Sequence, residues 1–311
     1  MSGRRIVVVG SLNMDLVVRC DRAPLAGETV RGSSFTTFPG GKGANQAFAA
    51  ARLGAEVQMV GCVGDDEFGT ELCRSLAAAG VDVTRVARVD CHSGTALILV
   101  EHNGENRIVV VPGANARVSS QQVREALVGA GDAIVLVQLE IPLAVVEEVA
   151  ALARKEGASV LLNAAPAQPL AASIARNVDQ LIVNETEAEV LSRIPVRCLE
   201  DARRAAHELL EQGFGAVTLT LGEHGALHRG KHLIRGLAPK VPVVDATGAG
   251  DAFCGAFAAA LAGGLLEEEC LATAIAAGSL AVTRKGAQPS LPGMEQVAAL
   301  RQKVQILSDS A

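Results

Sequence analysis

Short apolar runs that end on glycine or a polar residue, each followed by a helical segment, constrain this chain more than any other feature. Arg5–Gly10 is the first, and Glu56–Gly61, Ala133–Leu139, Ser159–Leu162, Gln180–Val183 and Ala216–Leu221 repeat the form. A run with no polar alternation suits a strand buried on both faces. Helical segments are expected at Ala47–Leu53, Glu67–Ala79, Ser120–Val128, Leu143–Glu156, Glu185–Leu191 and Glu200–Gln212. Three more close the chain: Ala249–Leu265, Glu267–Thr283 and one from Gly293 onward. This alternation predicts an α/β fold, with a mostly parallel central sheet and helices on both faces. A hairpin-like stretch, Gly225 to Val244, precedes the last helices.

Two segments break the rhythm. Leu16 to Phe38 holds Pro24, Gly27 and Gly32, with β-type runs at Leu16–Arg19 and Thr29–Val30. His92 to Val111 gives runs at Thr95–Val100 and Arg107–Val111 around Asn103-Gly104, a strong hairpin signal. Together they predict a small sheet projecting from the main unit, to cover a site or to pair with another subunit. The expected organisation is one α/β domain over residues 1–311, with lid strands roughly within 15–38 and 92–112. No repeat or linker interrupts it, and the only tail is Ser308–Ala311.

Composition removes several classes of function. The 311 residues are 49% apolar and 20% charged, with a formal charge of −6, as in a soluble globular protein. There is no Trp or Tyr and no long basic block, which argues against a nucleic-acid groove. Seven scattered cysteines without Cys-x-x-Cys fit reduced thiols in a cytoplasmic protein. The apolar start, Ile6–Val9, is too short for a signal peptide. Ala252–Leu266 is too short to cross a bilayer comfortably and reads as a buried helix, so no membrane association is expected.

The chemistry-bearing residues cluster at strand ends. Asp245-Ala246-Thr247-Gly248-Ala249-Gly250-Asp251 opens a long helix. Glycines at a helix start expose backbone N–H groups at the positive end of the dipole, an anion site suited to phosphate. Asp251 is then either a helix cap or a base beside a phosphoryl group. Gly40-Gly41-Lys42-Gly43-Ala44-Asn45 is a second glycine-rich loop, without the Walker A pattern. It is either a tight turn or a donor set for a polyhydroxylated ligand. Ser11-Leu12-Asn13-Met14-Asp15 and Gln138-Leu139-Glu140 follow strands at carboxyl ends, where ligands of open α/β sheets bind. Asn184-Glu185-Thr186-Glu187 is a capping box or a water-mediated Mg²⁺ contact. Thr220-Leu221-Gly222-Glu223-His224-Gly225 is a strand-end turn or a nucleotide loop. His224, His228 and His232 have helical metal-ligand spacing, but Gly225 and Gly230 argue against a helix there.

These pieces, with Arg284-Lys285-Gly286-Ala287-Gln288-Pro289-Ser290, resemble the ribokinase/PfkB family of sugar and nucleoside kinases in order and along the whole chain. The resemblance implies ATP-dependent phosphorylation of D-ribose at O5. It makes Asp251 the base and Gly248, Ala249 and Gly250 an anion hole for the γ-phosphoryl group. It implies sugar contacts from Asn13, Asp15, Gly41, Lys42, Gly43, Asn45 and Glu140. Nucleotide contacts would come from Asn184, Thr220, Gly222, Gly225, Gly250 and Ile275, with Glu187 reaching Mg²⁺ through water. Asp245, Thr247, Ala281, Arg284, Gly286 and Ser290 match a monovalent-cation site, usually filled by K⁺. The implied cofactors are ATP, Mg²⁺ and K⁺, and the implied partner is a second copy joined through the lid sheet. Two positions depart from relatives. Ile275 stands where some ribokinases carry His or Asn near the adenine, and Met14 replaces a smaller residue. A 2-deoxyribose or nucleoside kinase is the alternative, and a non-catalytic sugar-binding relative a remoter one.

Overall fold

The computed structural model describes residues 3–309; the first two residues of the Met1 start and the last two of the Ser308–Ala311 tail lie outside the described residues. The chain opens with β1 (Ile6–Val9), β2 (Asn13–Cys20), β3 (Gly32–Gly40), α1 (Lys42–Arg52), β4 (Val57–Gly64) and α2 (Glu67–Ala78). It continues through β5 (Asp82–Val89), β6 (Gly94–Val100), β7 (Asn106–Val111), α3 (Ser120–Leu127), β8 (Ile134–Gln138) and α4 (Leu143–Lys155). Next come β9 (Ser159–Asn163), α5 (Ala172–Ala175), β10 (Gln180–Asn184), α6 (Glu185–Ser192), α7 (Leu199–Glu211) and β11 (Val217–Thr220). β12 (Ala226–Arg229), β13 (Leu233–Leu237), α8 (Ala249–Ala262), α9 (Glu267–Ala281), α10 (Met294–Arg301) and β14 (Gln305–Asp309) finish it.

Ten strands form the main sheet in the order β14-β13-β12-β11-β10-β9-β8-β1-β4-β5. From β5 to β11 every pairing is parallel, and β12, β13 and β14 extend that edge antiparallel. The apolar run of β1 serves both faces, as expected. Val7 and Val9 pack with α3, α4, α6 and α7, while Ile6 and Val8 pack with α1, α2, α8 and α9. Among the described residues no helix is long and apolar enough to cross a membrane.

β3-β2-β6-β7 form a separate four-stranded sheet, with β2 and β6 parallel and the outer pairs antiparallel. β3 lies at Gly32–Gly40, not at Thr29–Val30. β5 and β14 went unforeseen. α1 also begins at Lys42, five residues earlier than the pattern suggested, so the second glycine-rich loop is mostly a helix start. Gly41 caps it at φ +91°, a conformation that glycine adopts without strain.

α1 and α8 lie against each other at close range. A side chain at Gly255 would come within 2.5 Å of the Gln46 carbonyl and 2.6 Å of the Ala49 Cβ. This glycine lets the two helix starts converge at the carboxyl ends of β1, β8 and β9.

Candidate active site

The convergence places the side chains of α1 on the acid of α8. Asp251 is the third residue of α8 and is 7% exposed. Its Oδ2 accepts from Asn45 Nδ2 at 2.9 Å and its Oδ1 from Gln46 Nε2 at 3.0 Å. The cap position belongs to Gly248, at φ +77° with no side-chain bond, so the capping alternative for Asp251 is overturned. Ala249 N–H turns back to the Ala246 carbonyl at 3.2 Å. Among the described residues nothing accepts from the N–H of Gly250 or Asp251. An uncapped helix start with free donors attracts an anion, and a Cβ built on Gly250 would meet no atom within 4 Å.

Polar residues gather beside it. Glu140 Oε2 accepts from Ser11 Oγ at 2.5 Å, from the Lys42 backbone N–H at 3.1 Å and from Asn13 Nδ2 at 3.5 Å. Asn13 in turn accepts through Oδ1 from Asn115 Nδ2 at 2.7 Å. Gly43 packs on the end of β1, where a Cβ would stand 2.6 Å from Ser11 N. Gly40 similarly leaves room for the Asp15 carboxylate. Burial, then the nearby Glu140 and Asp251 charges, push Asp15 up to about 7. Burial pulls the Lys42 ammonium down, but Asp251, Glu140 and Glu187 outweigh it and leave Lys42 above its ordinary value. Burial raises Glu187 as well, against the Asn184 N–H and Lys42. Asn13, Asp15, Lys42, Asn45, Glu140, Glu187 and Asp251 thus share one electrostatic neighbourhood.

The remaining predicted residues fall in two further places. Asn184 and Thr220 are register partners at the ends of β10 and β11. Asn184 and Glu187 form a reciprocal capping box, with bonds of 2.9 and 2.8 Å. Gly222 and Gly225 bound a single turn after β11, both with positive φ. Ile275, 4% exposed, packs against Gly236, whose carbonyl lies against Gly225. Asp245 accepts from Thr247 N–H at 2.9 Å, Thr247 Oγ1 at 2.7 Å and Gly286 N–H at 3.0 Å. Burial opposes the Asp245 charge, yet these donors hold it below the usual range. Ser290 Oγ donates to the Ala287 carbonyl at 2.8 Å and Arg284 N–H to that of Ala281 at 3.3 Å. A carboxylate, backbone carbonyls and a hydroxyl are hard oxygen donors, a set that fits an alkali cation. Among the described residues no group of three His, Cys, Asp or Glu suits a metal ion. His228 is buried on β12 against Thr218, 2.8 Å away.

The sequence motifs did not single out Asn115, Asn163, or the roles of Gln46 and Gln138. Asn115 sits alone in a single turn at Gly113–Arg117, with no spacing to mark it.

A model of the pfkB family carbohydrate kinases matches residues 4–294. The chain belongs to that family. It is therefore a carbohydrate kinase, of a family that uses ATP. It is 40% identical over 303 residues to a ribokinase of Haemophilus influenzae, covering 94% of this chain and 97% of the relative. A deoxyribokinase of Salmonella typhimurium is 38% identical over 295 residues, covering 94% and 96%. The structure of an Arabidopsis thaliana ribokinase complexed with ribose and ATP superposes with a TM-score of 0.88 at 35% identity, covering 97% of this chain and 99% of that one.

Proposed function

We propose that this carbohydrate kinase transfers the γ-phosphoryl group of ATP to O5 of D-ribose, with Asp251 as general base. The observation that carries this is the meeting, within one turn of α8, of an acceptor carboxylate and two unpaired backbone N–H groups. Asp251 takes the proton of the 5-hydroxyl as that oxygen bonds to the γ-phosphorus. The bond from the γ-phosphorus to the β,γ-bridging oxygen breaks, and ADP leaves with its electron pair. The N–H groups of Gly248, Gly250 and Asp251, with the positive end of the α8 dipole, stabilise charge on the transferring group. Ala249, whose N–H is taken by the Ala246 carbonyl, shapes that turn.

Asn13, Asp15, Lys42, Asn45 and Glu140 bind the sugar, with Gly41 and Gly43 letting the start of α1 close on residues 10–13 so that these side chains converge. Carboxylates accept from paired hydroxyls, and the amides and ammonium donate. Thr220, Gly222 and Gly225 border the nucleotide, and Ile275 backs it from the core. Asn184 and Glu187 would hold Mg²⁺ through water, which supplies charge neutralisation at the phosphates. Asp245, Thr247, Ala281, Arg284, Gly286 and Ser290 would hold K⁺, which supplies order to the loop before α8.

The ribokinases among the relatives and the acceptors grouped around Asn13 support ribose. The second choice, 2-deoxyribose, is favoured by the deoxyribokinase relatives and by Met14, which is buried beside Asn13 at 2% exposure. The lid offers a dimer surface, since Phe35, Leu97 and Ile108 to Val111 are all exposed apolar residues. The test is kcat/KM for ribose, 2-deoxyribose and adenosine with ATP–Mg²⁺, each in K⁺ or Na⁺. Preference for ribose with dependence on K⁺ is expected; preference for deoxyribose or adenosine overturns the sugar assignment.

A further inference from the structure

Beneath Asp251 lies a buried chain of amides that the transfer step leaves without a task. Gln46 Nε2 donates to Asp251 Oδ1 and to Asn163 Oδ1, each at 3.0 Å. Gln46 Oε1 accepts from Gln138 Nε2 at 2.7 Å, and Asn163 Nδ2 donates to the Ile182 carbonyl at 3.2 Å. Gln46 and Gln138 are completely buried, and Asn163 is 7% exposed.

The chain has only one consistent direction. A backbone carbonyl is purely an acceptor, so Asn163 must turn Nδ2 to Ile182 and Oδ1 to Gln46. That oxygen requires Gln46 Nε2, which leaves Gln46 Oε1 for Gln138. Gln46 therefore reaches Asp251 with an N–H, and rotating its amide would break all three of its bonds. The ends of β8, β9 and β10 thus fix which atom of α1 faces the base.

We propose that Gln46 is a positioning residue for Asp251, latched by Gln138 and Asn163, which holds the carboxylate in one orientation. This rests on Asp251 being the base. Asn45 donates to the other oxygen, so both donors come from consecutive residues of one helix turn. With one locked donor on each oxygen, the carboxylate has a single orientation in which both bonds are made.

Gln46→Met keeps the length and removes the donor. Its kcat is expected to fall ~10-fold or more, with both KM values within about 2-fold of the parent. Gln138→Met, which unlatches Gln46 without touching Asp251, lowers kcat by less, again with both KM values held. In an Asp251→Asn background Gln46→Met adds no further loss, since its target is gone. A parent-like kcat in Gln46→Met overturns the proposal. So does an equal loss with and without Asp251, which marks a packing role. Thermal melts accompany each variant; if Gln46→Met does not fold, Gln138→Met decides alone, and a parent-like kcat there overturns the proposal. Parent-like turnover by Asp251→Asn alone is a different failure, that of the base assignment.

Discussion

Asn115 Nδ2 donates to Asn13 Oδ1 at 2.7 Å, joining two buried amides 102 residues apart in the chain. Asn115 is itself fixed, accepting Leu12 N–H at 2.9 Å and donating to the Leu12 carbonyl at 3.1 Å. With its oxygen engaged, Asn13 turns Nδ2 toward Glu140 and the space beside Asp251. A residue from the turn after the lid thereby decides which amide atom Asn13 turns to Glu140.

Asn115→Ala should therefore act on the sugar and spare the nucleotide. We expect the sugar KM to rise ~10-fold or more with the ATP KM unchanged. A loss of ~1–3 kcal/mol in stability is also expected, because the buried polar groups of Leu12 lose their partner. Steady-state kinetics and a denaturant melt read both. An equal rise in the two KM values contradicts the role.

Two glycines should respond oppositely to alanine. At Gly250 the new Cβ meets no protein atom within 4 Å, and alanine is the better helix former. Gly250→Ala should keep its melting temperature yet lose ~10²-fold or more in kcat, since the methyl stands before the anion-binding N–H groups. At Gly43 the Cβ would lie 2.6 Å from Ser11 N and 2.8 Å from Gly10 Cα. Gly43→Ala should lose ~1–3 kcal/mol of stability. Full activity in the first variant, or unchanged stability in the second, contradicts this.

Asp15 should make the ligand-free protein sensitive to pH. Its folded value, about 7 against an ordinary 3.8, is raised by burial and by Glu140 and Asp251. Neutral Asp15 is tolerated and its ionised form is disfavoured, so its contribution is fully present below the unfolded value and is lost as pH climbs through about 7. Asp15→Asn, neutral throughout, should gain stability relative to the parent between pH ~5 and ~8. Denaturant midpoints at the two pH values check the sign; a parent that gains on the variant refutes it.

Asp245 ties the loop before α8 to the loop after α9 through Gly286. Asp245→Asn retains an oxygen for Thr247 but sets an amide N–H against the Gly286 N–H. The ratio of kcat in K⁺ to kcat in Na⁺ should fall toward one, while sugar affinity measured by calorimetry holds. A variant that keeps the parent ratio removes Asp245 from the cation site.

What the sequence revealed follows burial. Strands buried on both faces, such as Ile6–Val9 and Ile134–Gln138, announce themselves as unbroken apolar runs. β5 sits at the sheet edge, so Asp82, Thr84, Arg85 and Arg88 interrupt its valines, and β14 at the other edge is as weakly marked. The start of α1 was hidden because Gly41 and Gly43 look like a loop; Gly43 is there for close approach to β1, not for a turn. The motif residues that meet around Asp251 were legible because glycines and polar residues at strand ends and helix starts stand out against the apolar runs. Asn115 and Asn163 were not, since a lone Asn in a polar stretch gains its meaning only from a partner distant in sequence.

The decisive measurement is single-turnover phosphoryl transfer from ATP–Mg²⁺ to ribose by the parent and by Asp251→Asn, with ribose binding to each measured by calorimetry. Formation of ribose 5-phosphate by the parent, and a ~10²–10⁴-fold or greater slowing in a folded, ribose-binding variant, is the expected result. Transfer by Asp251→Asn at the parent rate, or no transfer to ribose by the parent, would contradict it.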